Sequence, residues 1–590
     1  MKYQELAKVY SDIQSTSKRL EKTSVLANFL SKIPDEDINV IVLLMQGRIF
    51  HSWEEKKLGV AAKTIVKAIN IATGINSAKI EDEWRKTGDL GLVAENLVNK
   101  KQQSTLFSQD LEVKKVYSNL ARLAELEGSG TIDKKLKLIA ELLSSAKPLE
   151  ARYIIRTALE DLRVGVGEGL VRDAIVWAFF SEKLGIEYDP ESNKINFAEN
   201  KRELYDSYVN ALQYAYNLKN DFSEVIKIAK DEGYDGLKDI GITLGKPMKS
   251  MLFQKAKDVI EGFKIVGKPA AFEYKYDGFR VQVHFNEGDV KLFTRRLENV
   301  SEQFPDVVES VKKQVNAKNC ILDTEIVGFN PSTNQYISFQ EISQRIKRKY
   351  NIRALEKKYP VEVNVFDVMY YNGELQLKKP FHERRKLISE IVEPVERRIV
   401  LSRIVVTENK DEANKFYNEA LDRGEEGVMI KNLNAPYEPG SRVGNGVKLK
   451  PVMDSLDLVI VKAEWGEGKR ASWLTSFTLA ALDENKQLKP VGRVSTGLKE
   501  LEGEGMTYSQ LTETLRPLII AEQGRKVRLK PQVIMEVNYE EIQKSSNYES
   551  GYALRFPRFI RLRDERAVED ADSIEQIEKL YKSQRNRDKT

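Results

Sequence analysis

The sequence EYKYDGFRVQVHF, residues 273–285, contains the pattern that decides how this chain is organised. Its second half alternates apolar with polar residues, which predicts a β-strand with two different faces. The apolar face carries Phe279, Val281, Val283 and Phe285, and the polar face carries Arg280, Gln282 and His284. The same two-residue period places Glu273, Lys275 and Asp277 side by side. We therefore expect three charged groups on one surface.

Lys275 is the candidate nucleophile of this stretch. It begins a Lys-x-Asp-Gly motif, and Gly278 suits a tight turn where the backbone passes close to a ligand. A lysine amine attacks phosphorus or a carbonyl carbon only when it is neutral, so burial, a neighbouring cation or a metal must keep it deprotonated. A salt-bridged strand at a sheet edge would show the same four residues. The motif therefore needs support from the rest of the chain.

Length and composition restrict the class of protein. A chain of 590 residues is too long for one core and predicts three or four domains. Its 41% apolar and 31% charged residues are typical of a soluble globular protein, and a net charge of +5 is too small to demonstrate a polyanionic partner. The single cysteine, Cys320, excludes an internal disulfide and a cysteine-based zinc cluster and favours a reducing compartment. With no apolar signal core or membrane-length apolar run, we expect an intracellular protein.

The first part of the chain has the spacing of α-helices. TIVKAINIAT (64–73) and DKKLKLIAELLSSA (133–146) repeat apolar residues three and four positions apart. RVGVGEG (163–169) resembles a Gly-rich phosphate loop, but it follows a helical pattern rather than a strand, so we expect a turn between helices. Residues 235–251 contain Gly and Pro without a clear period, as a linker does. Residues 1–235 are therefore predicted to form an all-α domain.

The middle of the chain changes to a period of two. The predicted strands are FRVQVHF, NCILDTEIVGF, VEVNVFDVMYY, EGVMIK and GVKLK. Helical stretches such as ERRKLISEIV separate them, which predicts an α+β domain over residues 236–451. After Pro451 the pattern gives further strands and few helices, which favours a small β-barrel of the oligonucleotide-binding (OB) fold over residues 452–590.

Carboxylates in two of these strands form a candidate metal site. Asp323 and Glu325 lie two residues apart on one face of an otherwise apolar strand, where a carboxylate is costly unless a metal or a hydroxyl group pairs with it. Glu426 opens another short apolar strand, which ends at Lys431. Two separated carboxylates, with water and substrate phosphate as the remaining ligands, are typical of Mg²⁺. Solvation of the strand ends is the alternative explanation.

Basic side chains form candidate phosphate contacts. In GVKLK, Lys448 and Lys450 share one strand face directly after the loop PYEPGSRVGNG, which also supplies Arg442. The segment RFPRFIRLRDER has a still higher density of basic residues. We attribute this density to contacts with phosphate, either of a nucleotide or of a nucleic-acid backbone. Its arginines are Arg555, Arg558, Arg561, Arg563 and Arg566.

Phe366 is a candidate for stacking on a base. In VEVNVFDVMYY it falls on the same strand face as Glu362 and Asn364. An aromatic ring on a polar face can stack on a base, although a partly covered core residue explains this segment equally well.

In their order along the chain, these segments resemble the nucleotidyltransferase motifs of ATP-dependent DNA ligases, in particular the archaeal and eukaryotic replicative type. EYKYDGFR, LFTRRLENV and ILDTEIVGF are similar to motifs I, Ia and III, and VNVFDVMYYNG, EGVMIK, GVKLK and RFPRFIRLRDER are similar to motifs IIIa, IV, V and VI. TGDLGLVAE and EARYIIRTALEDLRVGVGEGLV resemble the DNA-binding domain of this family. The resemblance covers nearly the whole chain, and implies a helical DNA-binding domain, an adenylation domain and an OB-fold domain.

The resemblance also implies a role for each matching residue. Lys275 would become adenylylated, Glu273 would read the edge of adenine and Phe366 would stack on it. The residues that match contacts to ribose and phosphate are Arg280, Arg295, Glu325, Arg442, Lys448 and Lys450. The metal-binding carboxylates would be Glu325 and Glu426, and Arg563 and Arg566 would orient the pyrophosphate leaving group.

A ligase of this family would use ATP and Mg²⁺ (or Mn²⁺) to seal nicked double-stranded DNA in replication, repair and recombination. We expect a cytoplasmic, nucleoid-associated monomer that does not bind membranes. Gln103, Leu106 and Phe107 in KQQSTLFSQD resemble the motif by which replicative ligases dock on a sliding clamp. A polar loop anchored by a hydrophobic pair would give the same pattern.

Two positions depart from the family pattern. Gly446 stands where many relatives carry tryptophan, which leaves the packing before motif V open. Arg566 replaces the usual lysine at the end of motif VI, which keeps the charge but changes its geometry.

Two other classes of function share some of these features. An RNA ligase or a capping-type nucleotidyltransferase would carry the same lysine motif, but the long helical region argues against both. A non-catalytic nucleic-acid-binding scaffold would tolerate loss of the site, whereas Lys275, Glu325, Glu426 and Lys448 are all present.

Overall fold

The computed structural model describes most of the chain as two compact units. The described residues are 1–99, 110–126, 130–198, 201–337, 339–348, 350–451, 455–466, 470–501, 503 and 505–584, without the side chains of residues 340, 347, 442 and 443. The first unit comprises Met1–Leu252, Gly278–Ser402 and Leu433–Val443, and the second comprises Phe253–Asp277, Arg403–Asn432 and Gly444–Thr590. The clamp-like residues Gln103, Leu106 and Phe107 lie outside the described residues.

The amino-terminal part of the first unit is built mainly from helices. These are α1 (Tyr3–Ser15), α2 (Arg19–Leu30), α3 (Ile38–Met45), α4 (Ala62–Thr73), α5 (Ser77–Thr87), α6 (Leu90–Val98), α7 (Val113–Glu125), α8 (Thr131–Ser145), α9 (Pro148–Ala158), α10 (Glu168–Leu184), α11 (Arg202–Lys219), α12 (Phe222–Asp231) and α13 (Gly233–Lys238). The prediction of a turn at residues 163–169 is confirmed, because α9 ends at Ala158 and α10 begins at Glu168.

The two segments that resemble a DNA-binding domain pack together as α6 and α9. Asp89 caps α6 by accepting hydrogen bonds from the N–H groups of Gly91 and Leu92, and it forms a buried 2.6 Å ion pair with Arg156 of α9. A Cβ atom at Gly91 would lie 2.7 Å from the carbonyl oxygen of Arg152. The glycine therefore permits the close approach of the two helices.

The prediction that this region is entirely α-helical was wrong in one place. Residues 186–197 form an antiparallel hairpin of β1 (Ile186–Asp189) and β2 (Lys194–Phe197). Its turn contains Asn193 with a φ of 51°, in the left-handed region that asparagine tolerates better than most residues. The short alternation in IEYD and KINF carried this signal.

The rest of the first unit is a six-stranded sheet with helices. Its strands are β5 (Phe279–Asn286), β6 (Asp289–Thr294), β7 (Asn319–Gly328), β8 (Val361–Tyr371), β9 (Glu374–Leu375) and β10 (Ile399–Leu401), in the order β10-β8-β7-β5-β6 with β9 beside β8. Its helices are α15 (Pro305–Gln314), α16 (Phe339–Lys347), α17 (Ile352–Lys358) and α18 (Phe381–Ile391). The predicted apolar face of β5 is confirmed, because Phe279, Val281, Val283 and Phe285 lie in the buried core. Cys320 of β7 is buried in the same core.

The second unit contains a five-stranded sheet. Its strands are β3 (Leu252–Ala256), β4 (Ala270–Lys275), β11 (Ile404–Thr407), β12 (Gly427–Asn432) and β13 (Arg442–Leu449), in the order β11-β4-β12-β13-β3. Helices α14 (Val259–Val266) and α19 (Lys410–Asp422) pack against β12.

The carboxyl-terminal part of the second unit is rich in β-strands. A seven-stranded sheet contains β14 (Leu456–Trp465), β15 (Leu474–Leu482), β16 (Leu488–Val494), β17 (Ile519–Gln523), β18 (Lys526–Leu529), β19 (Ile534–Asn538) and β22 (Arg558–Leu562). A two-stranded sheet contains β20 (Glu541–Lys544) and β21 (Tyr552–Arg555), and the helices are α20 (Tyr508–Leu515) and α21 (Ile574–Ser583). Within the parts of the chain that are described, no helix has the length and hydropathy needed to cross a membrane.

Candidate functional site

Lys275 is the last residue of β4, where it faces a carboxylate of the residue just before the neighbouring strand β12. Its carbonyl oxygen accepts a 2.8 Å hydrogen bond from the N–H of Glu426, which fixes the two residues beside each other. The Lys275 Nζ then lies 2.7 Å from Glu426 Oε2. Lys450, which follows β13, brings its Nζ to 2.5 Å from the same oxygen. One carboxylate oxygen therefore holds two ammonium groups.

The charges around Glu426 set its protonation state. Burial alone would raise its pKa, but the ammonium groups of Lys275 and Lys450 hold that pKa well below its usual range. Glu426 is therefore ionised and acts only as an acceptor. Lys448 lies on β13 opposite Met429, and burial together with the charges of Lys450 and Lys275 lowers its pKa. The lysines thus form a dense positive cluster around one anion.

Glu273 lies two residues before Lys275 on the same strand. Its carboxylate forms an ion pair with Lys431 of β12, and both side chains are almost fully buried. The third member of the predicted charged row, Asp277, lies beyond the end of β4, where its N–H donates a 3.1 Å hydrogen bond to Glu425 Oε2. The prediction of one continuous charged strand face was therefore wrong, because β4 ends at Lys275.

Glu540 is a member of this cluster that the sequence did not indicate. It lies between β19 and β20 of the carboxyl-terminal part, with its carboxylate 3.0 Å from the Nζ of Lys255 and 3.7 Å from that of Lys450. Burial raises the pKa of Glu540, but Lys255 and Lys450 lower it overall. It lies some 90 residues after Lys450 in a segment without a recognised motif, so no local spacing could have connected the two.

The first unit contains a second group of predicted residues, built around Arg280 on β5. Its guanidinium binds Asp323 through both carboxylate oxygens, at 2.9 Å from Nε and 2.5 Å from Nη2. Its Nη1 donates a 2.7 Å hydrogen bond to the carbonyl oxygen of Met251. Asp323 therefore has a protein partner, which differs from the expectation that it needs a metal or a ribose hydroxyl.

Two other predicted residues lie beside Arg280. Glu325 of β7 is its register partner, and the guanidinium lies over the ring of Phe366 at 5.4 Å from the ring centroid. The register between β7 and β8 passes from Asp323–Asp367 to Thr324–Val365, so Phe366 is the extra residue of a β-bulge. A bulge changes the direction of a side chain and explains why Phe366 is only partly buried although Val365 and Asp367 on either side of it are buried.

The polar face of β5 holds the linker that precedes β3. Gln282 Nε2 donates to the carbonyl oxygen of Met248 at 2.5 Å, and its Oε1 accepts from the Met248 N–H at 3.2 Å. His284 Nδ1 accepts a 3.1 Å hydrogen bond from the N–H of Gly245. Burial lowers the pKa of His284 to about 3, helped by the charge of Lys291, so the ring is neutral. The polar face predicted from the sequence therefore binds the backbone of the linker.

The remaining predicted residues are four arginines in different surroundings. Arg295 is exposed after the end of β6. Arg442 begins β13, but its side chain lies outside what the structure describes. Arg563 and Arg566 meet at Asp457 of β14, with distances of 3.1 and 2.6 Å to its Oδ2.

The arginine-rich segment also has carboxylate partners within the chain. Arg555 pairs with Glu541 at 3.0 Å, and Arg561 pairs with Glu536 at 2.7 Å. The density of arginines, which we attributed to phosphate from the sequence, thus has a second explanation within the chain. Intramolecular ion pairs with residues distant in sequence account for much of it.

The structure explains why position 446 is a glycine. A Cβ atom there would lie 2.3 Å from the ring of Phe253, which β3 places beside β13. The aromatic ring of Phe253 thus fills the space that a side chain at position 446 would need. Gly278 is required for a similar reason, because a Cβ atom there would lie 2.3 Å from the carbonyl oxygen of Ile326.

Comparison with known protein families covers all three regions. The model described as "DNA ligase N terminus" matches residues 2–176, "ATP dependent DNA ligase domain" matches residues 250–450, and "ATP dependent DNA ligase C terminal region" matches residues 470–566. A solved structure titled "Pmar-Lig_PreS3" superposes with a TM-score of 0.55 at 15% identity, covering 95% of this chain and 99% of that one. That likeness supports the fold.

Curated relatives match almost end to end. The chain is 46% identical over 588 residues to a DNA ligase of Nanoarchaeum equitans, covering 99% of both chains. It is 42% identical to DNA ligases of Thermococcus fumicolans, covering 98% of both chains, and of Archaeoglobus fulgidus, covering 99% of both. The chain belongs to the ATP-dependent DNA ligase family. It is an enzyme that seals nicks in duplex DNA with ATP as the adenylate donor, and the alternatives of an RNA ligase, a capping enzyme or a non-catalytic scaffold are not favoured.

Proposed function

We propose that Lys275 is the residue that carries AMP between ATP and DNA. Its amine attacks the α-phosphorus of ATP, so that an N–P bond forms, the bond to the β-phosphate oxygen breaks and pyrophosphate leaves. A 5′-phosphate oxygen at the nick then attacks the AMP phosphorus and releases the lysine. The 3′-hydroxyl finally attacks that 5′-phosphate, which closes the strand and releases AMP. Each displacement requires in-line geometry.

The observation that supports this role is the shared carboxylate oxygen of Glu426. The ammonium of Lys450 competes with Lys275 for this oxygen, and a cationic neighbour is one of the means by which proteins activate a lysine nucleophile. Lys448 adds a further positive charge nearby. These cations would also offset the negative charge that develops on the phosphoryl oxygens.

The experiment is labelling with ATP that carries its label on the α-phosphate. The parent protein should acquire an acid-labile adduct without DNA, and both Lys275→Ala and Lys275→Arg should lose it. Lys264→Ala, which removes an exposed lysine of α14, is the matched control and should label normally. Labelling of Lys275→Ala at the parental level would refute the proposal.

The other residues around the nucleotide are proposed from the family resemblance and from their neighbours. Glu273 reads the edge of adenine, and Phe366 stacks on the base. Contacts to ribose and phosphates are assigned to Arg280, Arg295, Glu325, Arg442, Lys448 and Lys450, and contacts to the leaving pyrophosphate to Arg563 and Arg566. The bulge that re-aims Phe366 and the fixed guanidinium of Arg280 support this assignment.

A divalent metal is also part of the proposal. In the described residues no group of three or more His, Cys, Asp or Glu side chains could hold an ion by itself. Mg²⁺ does not require such a group, since it binds one or two carboxylates together with water and substrate phosphate. The ionised Glu426 fits as one ligand, and Glu325 is proposed as another. Bound Mg²⁺ (or Mn²⁺) would neutralise charge on the phosphates.

Several wider assignments belong to the same proposal. The DNA-binding, adenylation and OB-fold domains would span residues 1–235, 236–451 and 452–590, and the first and last would grip the backbone of nicked DNA. We propose a monomer of the cytoplasm and nucleoid that acts in replication, repair and recombination. Gln103, Leu106 and Phe107 would dock on a sliding clamp. A pull-down in which Phe107→Ala retains the clamp as well as the parent would exclude that contact.

A further inference from the structure

The loop between β12 and β13 contains a buried tyrosine to which the sequence analysis assigned no role. Tyr437 is 3% exposed, and its hydroxyl group has three partners. It donates a 2.7 Å hydrogen bond to Asp323 Oδ2, and it accepts 3.2 Å hydrogen bonds from the N–H of Met251 and from Arg280 Nη2. Its own N–H donates to the carbonyl oxygen of Leu377 at 2.8 Å. Both ends of the residue are therefore fixed.

The hydroxyl group completes the surroundings of Arg280. Asp323 is fully buried and binds the guanidinium through both oxygens, so the direction of Arg280 depends on where Asp323 is held. Burial raises the pKa of Tyr437, as does the charge of Asp323, so its hydroxyl stays protonated and can donate. A phenylalanine would fill the same space, but it would leave the Met251 N–H without a partner and Asp323 Oδ2 with only the hydrogen bond from Arg280 Nη2 in a buried site.

The other end of the same loop is held by the helical region. Asn217 of α11 donates a 2.7 Å hydrogen bond from Nδ2 to the carbonyl oxygen of Pro439. A Cβ atom at Gly440, whose φ is 72°, would lie within 2.8 Å of the Asn217 side chain, so the loop fits closely against α11. Gln213, one turn earlier, orients the Asn217 amide by a 2.9 Å hydrogen bond to its Oδ1.

We propose that Tyr437 is a positioning residue that aims Arg280 at the nucleotide through Asp323, and that Asn217 holds the loop that carries it. The inference rests on the proposed contact of Arg280 with the nucleotide. It extends that function by making a residue of the helical region, Asn217, a determinant of a chemical step that does not involve DNA.

The test is the rate of single-turnover labelling of Lys275 by α-labelled ATP, measured over a range of ATP concentrations without DNA. A hydrogen bond to a charged group is worth about a 10- to 100-fold change, so Tyr437→Phe should raise the ATP concentration for half-maximal rate by that factor. The fraction of protein that finally labels should equal that of the parent. A purely structural role would lower this fraction and leave the half-saturating ATP concentration unchanged, which would overturn the proposal.

Two further variants separate the contact of Arg280 with the nucleotide from the effect of Tyr437 on Arg280. In an Arg280→Ala background, Tyr437→Phe should have little additional effect, because it acts through that arginine; independent, multiplying effects would overturn the inference alone. An Arg280→Ala protein that labels like the parent would refute the nucleotide contact of Arg280 and the inference with it. Tyr153→Phe is the matched control, since it removes the buried hydroxyl by which Tyr153 of α9 donates to Gln14 of α1.

Asn217→Ala tests the support of the loop. It should raise the half-saturating ATP concentration in the same direction as Tyr437→Phe, by about 3-fold or more, since it removes one neutral hydrogen bond. Unchanged labelling by Asn217→Ala would remove the helical region from the proposal. Normal labelling by Tyr437→Phe would overturn it entirely.

Discussion

At the scale of single residues, the central feature is a carboxylate that two lysines share. Glu426 is held ionised by Lys275 and Lys450, so it cannot serve as the base that removes the lysine proton. Its use must come from its negative charge, which orders the two ammonium groups in the absence of substrate. The same charge makes it suitable as an oxygen ligand for Mg²⁺.

Removing that charge gives the first prediction. Glu426→Gln keeps the size of the side chain but loses the carboxylate, so we expect the Mg²⁺ concentration for half-maximal labelling of Lys275 to rise about tenfold or more. A titration of Mg²⁺ at saturating ATP measures it. Glu425→Gln is the matched control, because its remaining oxygen can still accept from the Asp277 N–H. An unchanged Mg²⁺ requirement in Glu426→Gln would remove this residue from the metal site.

A second prediction concerns His284 and pH. The folded protein holds the pKa of His284 near 3, against an ordinary value of 6.5, so between these values the unfolded chain binds a proton that the folded chain does not. The free energy of unfolding should therefore decrease as pH falls through this window, by up to about 1.4 kcal/mol per pH unit from this one group.

His284→Asn keeps an acceptor for the Gly245 N–H but cannot titrate. The difference in unfolding free energy between parent and variant, measured by denaturant titration at several pH values, should therefore show this slope. His382→Asn, at an exposed histidine, controls for the loss of a histidine as such. If the parent and His284→Asn lose stability in parallel below pH 6.5, the neutral buried ring is not the cause.

The sequence predicted the residues that lie on one strand better than those that meet across the fold. The period of two placed Glu273 and Lys275 on one strand and put the apolar side chains of β5 in the core. It could not reveal Tyr437, because that residue meets Asp323 across 114 positions and lies in a loop without a period. Glu540 was missed for the same reason.

At the scale of elements, a side chain on β3 fills the space beside a glycine on β13. The ring of Phe253, on the neighbouring strand, occupies the space that a side chain at position 446 would need. The sequence pattern of β13 alone could not show this, because Phe253 lies almost 200 positions earlier. Strand pairing between distant segments is determined by the whole sheet.

The third prediction follows from that contact. Gly446→Ala should destabilise the protein by about 1–3 kcal/mol, because the new methyl group would overlap the Phe253 ring. Gly444→Ala, in the same strand, meets only Ile265 at 3.8 Å and should cost much less. Denaturant unfolding measures both.

A double-mutant cycle tests the cause of the Gly446 effect. In a Phe253→Ala background the ring is gone, so Gly446→Ala should cost under about 0.5 kcal/mol. An equal cost in both backgrounds would mean that the backbone of β13, rather than the ring, requires the glycine.

At the scale of the whole molecule, charge distribution matters more than net charge. The chain has a formal charge of only +5, and many arginines of the carboxyl-terminal segment are paired with carboxylates. Arg558 of β22, in contrast, is exposed. Since binding to a DNA backbone releases counterions, an exposed arginine that contacts phosphate contributes to the salt dependence of affinity.

The fourth prediction uses this dependence. Affinity for nicked duplex DNA should fall linearly with salt on a logarithmic plot, and Arg558→Ala should reduce the magnitude of the slope by about 1. Fluorescence anisotropy at several salt concentrations measures the slope. Lys579→Ala on α21, which pairs with Glu575, is the control. A slope that Arg558→Ala leaves unchanged would exclude a phosphate contact at this position.

The grouping of segments was the least predictable property of the molecule. Changes of period suggested boundaries near residues 235 and 451, and these remain a proposal. The structure, however, joins Met1–Leu252 to Gly278–Ser402 in one compact unit. A change of period reports which local structure a segment adopts, whereas compact units arise from contacts such as Asn217 with Pro439, which are more than 200 positions apart.

The reactivity of Cys320 reports local opening of strand β7, on which it lies. It is the only thiol of the chain, it lies fully buried on β7, and burial raises its pKa to about 12, so a thiol reagent cannot reach or activate it in the closed sheet. β7 is the strand that also carries Asp323 and Glu325. The alkylation rate of Cys320 therefore measures how often that strand leaves the core, and ATP bound at the contact we propose for Glu325 should lower this rate.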